Sequence, residues 1–260
     1  MMDERLSDLE KQIYRRNVLL PGVGEAGQLR LKRSRVLVVG AGGLGSPALY
    51  YLAASGVGEI GIVDGDRVDL SNLQRQILHG REDIGRLKTD SARDAILHVR
   101  PDVRLNVHSL RLTEENGAEI IAPYDFVVEA TDNFESKFLI NDLCVRLGKP
   151  FSHAGIIGFY GQAMTVVPGQ GPCYRCVFED VPPEGEVESP DEAGVLGSVP
   201  GVMGSIQAME AIKYLLDLGG LLTGRLLTWN GASMAFREIK LSPNERCRAC
   251  GGRAQDGPNR

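Results

Sequence analysis

Positive charge is in short supply in this 260-residue chain. Lys and Arg number 29 against 34 Asp and Glu, a formal charge of −5. A basic coat for nucleic acid is excluded as a general property, and no nucleic-acid partner is expected. The N-terminus, MMDERLSDLEKQ, carries charge where a secretory signal has an apolar core, so a cytoplasmic protein is expected. Internal repeats, low-complexity tracts and a linker between halves are missing, which predicts a single domain over residues 1–260. The histidines, His79, His98, His108 and His153, share no spacing pattern. They read as surface or local-structure residues, not as a base or a metal set. Cysteines number five, an odd count that argues against a disulfide framework.

Glycine is in surplus. The 32 glycines are about 12% of the chain, against a usual ~7%, without a collagen-like period. Apolar residues at 43% and charged residues at 24% exclude wholesale disorder. Val36 to Gly58 is 23 residues without a charge, but it holds six glycines and Pro47. It reads as a buried strand, a loop and a helix, and no membrane span is expected.

The pattern along the chain predicts polar helices over 3–16 and 24–32. Strands follow at 35–39, 60–64, 104–108 and 125–130. Helices are predicted at 44–55, 86–98, 113–121 with Thr113 as N-cap, and 135–147. This alternation predicts an α/β fold, a Rossmann-like doubly wound, mainly parallel sheet. After Pro150 come strands at 151–157 and 160–167, the second antiparallel. A loop over 177–198 carries five carboxylates between 179 and 188, a helix spans 202–218, and two strands within 225–241 turn at Asn230-Gly231. The C-terminal half thus extends the sheet in a mixed, antiparallel manner.

Gly40-Ala41-Gly42-Gly43-Leu44-Gly45 is G-x-G-x-x-G between a predicted strand and a predicted helix. Such glycines let the main chain approach a phosphate, and the helix N-terminus adds N–H groups and positive dipole. Asp64 lies 19 residues after Gly45, where a carboxylate can accept ribose hydroxyls. A nucleotide site follows, without distinguishing a dinucleotide from ATP. The next block, Asp64-Gly65-Asp66-Arg67-Val68-Asp69-Leu70-Ser71-Asn72-Leu73-Gln74-Arg75-Gln76, with Gly85-Arg86-Leu87-Lys88 after it, is polar where a nicotinamide pocket would be apolar. Triphosphate chemistry needs cations, and Arg75 and Lys88 are the candidates. The plain alternative for both is a solvated surface cation.

These blocks, with Ala130-Thr131-Asp132-Asn133, resemble the ThiF/MoeB/HesA family, bacterial relatives of ubiquitin-activating enzymes. The resemblance runs from about Tyr14 to Cys250. It implies ATP-dependent adenylation of the C-terminal glycine of a ubiquitin-like sulfur-carrier protein ending in Gly-Gly, in a thiamine, molybdopterin or related sulfur-transfer route. It further implies a homodimer with shared sites, and an external sulfur donor is expected because the 177–192 loop holds no cysteine. By the same resemblance Gly40, Gly42, Gly43 and Gly45 lie against the nucleotide and Asp64 takes the ribose. Asn72, Arg75 and Lys88 contact phosphates, and Asp66, Ser71, Leu73 and Gln74 belong to the same nucleotide-binding block. Asp132 holds Mg²⁺, Asn133 follows it, and Arg16 reaches into the partner's site. Asn17 stands where the family has Gln.

The resemblance divides the domain into a helical arm (1–33), a nucleotide-binding half (34–150), a carrier-binding and zinc half (151–250) and a tail (251–260). A carboxylate nucleophile is ionised at neutral pH and needs no general base, which fits motifs built from Arg, Lys and Asp.

Cys173-Tyr174-Arg175-Cys176 and Cys247-Arg248-Ala249-Cys250 are two C-x-x-C knuckles about 70 residues apart. Four thiolates suit a closed, structural Zn²⁺ site, provided folding joins them. One redox pair and one coincidence is the alternative. Cys144 sits among apolar residues at helical spacing and is expected in the core, as is the apolar face of the 202–218 helix, unless that face makes a dimer contact. In the 177–192 loop, Pro190 stands by register where some family members have a cysteine, so no covalent adduct with a carrier is expected. Three rivals stay open: a ThiF-like enzyme activating a carboxylate on tRNA, an NAD-dependent oxidoreductase, and an inactive adaptor.

Overall fold

The computed structural model describes residues 5–181, 183 and 193–251. Its strands are β1 (Arg35–Val39), β2 (Glu59–Val63), β3 (Arg104–His108), β4 (Phe126–Glu129), β5 (Phe151–Ile157), β6 (Tyr160–Val166), β7 (Arg225–Asn230) and β8 (Ala235–Lys240). They make one 8-stranded sheet in the order β3-β2-β1-β4-β5-β6-β7-β8. The neighbours from β3 to β5 are parallel, and those from β5 to β8 antiparallel. The doubly wound, mainly parallel reading with an antiparallel extension is borne out.

The helices are α1 (Asp8–Ile13), α2 (Arg15–Val18), α3 (Gly24–Arg33), α4 (Gly45–Ser55), α5 (Lys88–Val99), α6 (Glu114–Ile121), α7 (Phe134–Leu147), α8 (Tyr174–Phe178) and α9 (Ser198–Leu216). The central strands are short and β-branched because both of their faces are covered. Val36, Val38, Ile60, Ile62, Phe126 and Val128 pack against Leu49, Leu52, Ile96 and Met203 of α4, α5 and α9. Leu37, Val39, Val63 and Val127 face Ile121, Phe138, Ile140, Leu143 and Cys144 of α6 and α7. Each such large apolar side chain, removed from water, contributes roughly 1.5–3 kcal/mol.

Four details differ from the sequence expectation. The polar helix of 3–16 is two pieces that meet at Tyr14. Ser7 starts the first with a capping box, its Oγ accepting from the Glu10 N–H at 3.2 Å. Tyr14 then turns into the core, with Arg100 stacked 5.2 Å over its ring. Helix α9 begins at Ser198, ahead of the expected 202. Pro200 sits in its first turn, where a missing N–H leaves nothing unpaired. The β7–β8 connection spans residues 231–234, closed by Asn230 Oδ1, which accepts from the N–H of Ala232 and Ser233 at 3.0 and 3.2 Å. Two of the four histidines, His79 and His153, are buried rather than at the surface. Cys144 is buried as expected, and burial pushes its thiol far up. Pro190 and the rest of 184–192, with the tail beyond Gly251, lie outside the described residues.

Candidate active site

The strand order reverses between β1 and β4, so their C-terminal ends open a crevice between two loops, the usual ligand position in such sheets. One wall is the glycine loop. Gly40 takes a left-handed φ of +102°, and its N–H donates to Val63 O at 2.8 Å. A Cβ on Gly45 would fall 1.9 Å from Gly40 O, so only glycine lets α4 start this close to β1. The loop is held from below as well. His79 is satisfied as neutral imidazole, Nε2 to Ala41 O at 2.9 Å and Nδ1 to Ser91 Oγ at 2.8 Å. Burial first, and the nearby Lys88 ammonium as well, keep its pKa below the ordinary value.

Asp64, expected to take a ribose, also fastens the loop. Its two oxygens accept from the N–H of Ala41 and of Asp66, both at 2.8 Å. Lys88 opens α5. Residues 66–68 and 85–88 run side by side, with Lys88 N–H donating to Asp66 O and Val68 N–H to Arg86 O, both at 2.9 Å. Lys88 is buried, and its Nζ lies 3.2 Å from Asp66 Oδ2, while Arg111 meets the other oxygen at 3.4 Å. Partial burial alone would raise the Asp66 carboxyl, but these two cations outweigh it and hold it below the usual range.

The S-N-L-Q-R-Q block starts within a short helical turn at Leu70–Asn72 and lies beside the glycine loop. Asn72 Oδ1 accepts from Asp69 N–H at 3.1 Å, and Ser71 Oγ donates to Asp69 at 2.6 Å, so both side chains shape the turn. Leu73 is half-buried and Gln74 exposed. Arg75 donates to Ser71 O at 3.2 Å, and its Cγ lies 3.6 Å from where a Cβ on Gly43 would stand. Gln76 packs beside Gly42.

The opposite wall is the loop after β4. Asp132 and Asn133 are exposed, and Asn133 caps α7, its Oδ1 accepting from Ser136 N–H at 2.9 Å. Asp132 makes one long side-chain contact among the described residues, 3.4 Å to Asn133 Nδ2. Beneath them lies a cluster that sequence reasoning missed. Glu129 is fully buried, with Lys137 Nζ 3.1 Å from each of its oxygens and His153 Nδ1 at 2.6 Å. A glutamate inside an apolar strand, with a lysine eight residues on, was the available signal.

Arg16 is not brought to this crevice. It lies exposed on α2, which is tied through Asn17 to Gln28 and to Ser55 O at the far end of α4. Eleven residues of α4 separate that end from the glycine loop, roughly 16 Å along the helix.

The four knuckle cysteines do converge. Their sulfurs lie within 4.8 Å of one another, with Cys173–Cys247 at 3.6 Å and Cys176–Cys250 at 3.3 Å. Zn–S bonds of about 2.3 Å in a tetrahedron place sulfurs about 3.8 Å apart, so the cluster is compatible with zinc. Helix α8 between the ligands docks on α7. Tyr174 N–H donates to Asn141 Oδ1 at 2.9 Å, and Arg175 grips Asp142 with two bonds of 2.7 Å.

Known proteins resemble this chain. A sulfur carrier protein adenylyltransferase of Thermus thermophilus is 48% identical over 92% of this chain and 90% of its own length. The SAMP-activating enzyme E1 of Haloferax volcanii is 47% identical over 92% and 88%. The adenylyltransferase and sulfurtransferase MOCS3 of Culex quinquefasciatus is 44% identical over 95% of this chain, which spans only 56% of that protein. Among solved structures, E. coli MccB with MccA-N7isoASN superimposes with a TM-score of 0.81 at 23% identity, covering 95% of this chain and 76% of its own, a likeness of fold. No helix among the described residues is long and apolar enough to cross a membrane. The ThiF family profile matches residues 14–249, and the chain belongs to the ThiF family.

Proposed function

We propose that this protein is an ATP-dependent adenylyltransferase that activates the C-terminal glycine carboxylate of a ubiquitin-like sulfur-carrier protein ending in Gly-Gly, releasing pyrophosphate. One observation carries the reading. The glycine loop after β1, packed at Gly40 against Ala130, and the Asp132 loop after β4 flank the point where the strand order reverses, and Lys88 pairs with Asp66 after β2, so charged groups gather where hydride transfer would want an apolar pocket. The names of the relatives support the same activity. The motif residues are all present, unlike those of an inactive adaptor.

The chemistry follows from charge. A carboxylate attacks the α-phosphorus, anion upon anion, and pyrophosphate leaves. Gly40 to Gly45 and the start of α4 offer N–H groups to phosphate oxygens. Lys88, once drawn from Asp66, and Arg75 offset the repulsion and the charge that grows on the leaving group. Asp132 has its oxygens almost free and suits a divalent cation. Mg²⁺ held there would neutralise phosphate charge. Zn²⁺ in the cysteine cluster would be structural, since four protein sulfurs leave no open position.

Residues 34–150 form the nucleotide half and 151–250 the carrier and zinc half. The site is completed across a homodimer. Arg16 cannot serve its own crevice from the far end of α4, so it serves the partner's. An apolar groove of about 360 Å³, lined by Tyr51, Met209 and Ile212 among others, adjoins Asn17 and suits a second copy. The sulfur donor is external. All five cysteines are accounted for, Cys144 buried and the other four in the cluster. No exposed thiol is left to form a carrier adduct.

The test is carrier-dependent ATP–pyrophosphate exchange with a panel of Gly-Gly carriers. Exchange with at least one carrier, and none with a carrier lacking the last glycine, is expected. The reading is wrong if no carrier supports exchange.

A further inference from the structure

We propose that the buried Glu129–Lys137 pair is a positioning device for Asp132: it holds residues 130–133 in the shape that presents the Asp132 carboxylate to the nucleotide crevice. The inference rests on the reading of Asp132 as the divalent-cation ligand.

Thr131, the residue before Asp132, has every polar group bound to this pair. Its N–H donates to Glu129 Oε1 at 2.8 Å and its hydroxyl to the same oxygen at 2.5 Å. Its carbonyl accepts from Lys137 Nζ at 2.7 Å. On the other side, Asn133 is fixed as the cap of α7, and Lys137 N–H returns to Asn133 O at 3.3 Å. The loop is pinned before and after Asp132, and only the Asp132 side chain faces outward nearly unpartnered.

The pins are anchored in the core, not in the loop. Gln207 Nε2 of α9 donates to Glu129 O at 2.6 Å and to Ser152 O at 3.1 Å. His153 of β5 meets Glu129 Oε2, and Lys137 also donates to Ala154 O at 2.9 Å. Four elements, β4, β5, α7 and α9, therefore set where the Thr131 main chain lies. A ligand loop over-determined in this way is preorganised and loses little on binding its cation.

Stability alone does not account for the pair. Taking two charges out of water is costly, and well-packed apolar residues of the same volume usually serve a core as well. What apolar residues could not do is bind the N–H, hydroxyl and carbonyl of Thr131 at once. Burial by itself would raise the Glu129 carboxyl. The Lys137 ammonium, with the hydrogen bonds from His153 and Thr131, outweighs it and brings it down to about 2, so Glu129 is ionised at neutral pH.

The test uses the full chain and a double variant, Glu129→Gln with Lys137→Met, which removes both charges at similar volume. Mn²⁺ affinity in the presence of a non-hydrolysable ATP analogue is read by paramagnetic resonance titration, beside the melting temperature and the Mg²⁺ dependence of exchange. The expected result is a folded protein whose Mn²⁺ dissociation constant and half-saturating Mg²⁺ rise about tenfold, the scale of outer-shell substitutions at metal sites. Exchange at saturating Mg²⁺ should fall much less. Asp132→Ala in the parent background is the control. If Asp132→Ala loses Mn²⁺ affinity and the folded double variant keeps it, the positioning role is overturned while the reading of Asp132 stands. If Asp132→Ala itself keeps full Mn²⁺ affinity, that reading falls and the positioning role with it. Should the double variant not fold, Thr131→Val removes a single hydrogen bond to Glu129. A rise of about threefold in the Mn²⁺ constant, in a protein that still folds with a melting temperature lowered by only a few degrees, is then expected, and no rise overturns the proposal.

Discussion

The main chain of Gly40 lies against that of Ala130: a Cβ on Gly40 would stand 2.5 Å from the Ala130 carbonyl oxygen. This contact joins the glycine loop after β1 to the loop after β4 that carries Asp132. Gly40→Ala should therefore act on both walls. It places a side chain at φ +102° and forces the loops apart. A loss of roughly 1–3 kcal/mol in stability is expected, together with loss of ATP binding. Thermal unfolding with and without ATP measures both, and a variant that ATP still stabilises fully contradicts the contact.

Two cations from one stretch of sequence should separate cleanly. Lys88→Ala and Arg75→Ala should each lower kcat/KM for exchange by about 10²–10³, the usual scale for removing a donor to developing charge. Arg86, in the same G-R-L-K motif, is engaged in ion pairs with the buried Asp83 and the exposed Asp94. Arg86→Ala should change exchange by less than about twofold, since its guanidinium is committed to these two carboxylates and an exposed pair such as that with Asp94 is worth ~0–1 kcal/mol. Steady-state exchange kinetics on the three variants decides.

Arg16 gives a complementation experiment. Arg16→Ala and Asp132→Ala are each expected to be inactive. Mixed after subunit exchange, they should regain activity in one site per heterodimer, which joins the intact Arg16 of one chain to the intact Asp132 of the other. No recovery in a mixture shown to exchange subunits would mean that Arg16 does not act across the interface.

Reduced, freshly purified protein should carry about one zinc per chain by elemental analysis. Cys176→Ser should lower the metal content and the melting temperature together, because the cluster ties α8 to the segment around Cys247 and Cys250. A metal-free protein with an unchanged melting temperature would leave the cluster without its structural role.

His79 predicts an acid-sensitive glycine loop. Its pKa in the folded chain lies below the 6.5 of a free imidazole. The unfolded chain then binds the proton more tightly. Stability from this group is complete above pH ~6.5 and is lost as pH falls below it. Melting temperatures between pH 8 and 5 should decline on that limb, and His79→Gln should flatten the decline. An identical acid limb in the variant would remove His79 as the cause.

The two C-x-x-C pairs, the glycine loop and the strand–helix alternation were legible because each is a local pattern. Buried parallel strands are covered on both faces and read as short apolar runs, and a C-x-x-C pair announces its ligands by spacing alone. Asn72 and Ser71 show the limit of such patterns. Motif position assigned them to the nucleotide, whereas their hydrogen bonds also build the turn that carries Arg75.

The sequence by itself determined the layered α/β sheet, the glycine loop and the family, since these depend on periodicity and on residues close together in the chain. Only the tertiary structure decided that Glu129, Lys137 and His153 form one buried cluster, because eight residues of chain and 24 residues of chain had to be folded back to bring them together. It also decided that Arg16 stands at the wrong end of α4 for its own crevice. Separations of that kind are set by which faces of helices and strands must be buried against each other, and packing is a property of the whole fold that no single segment carries.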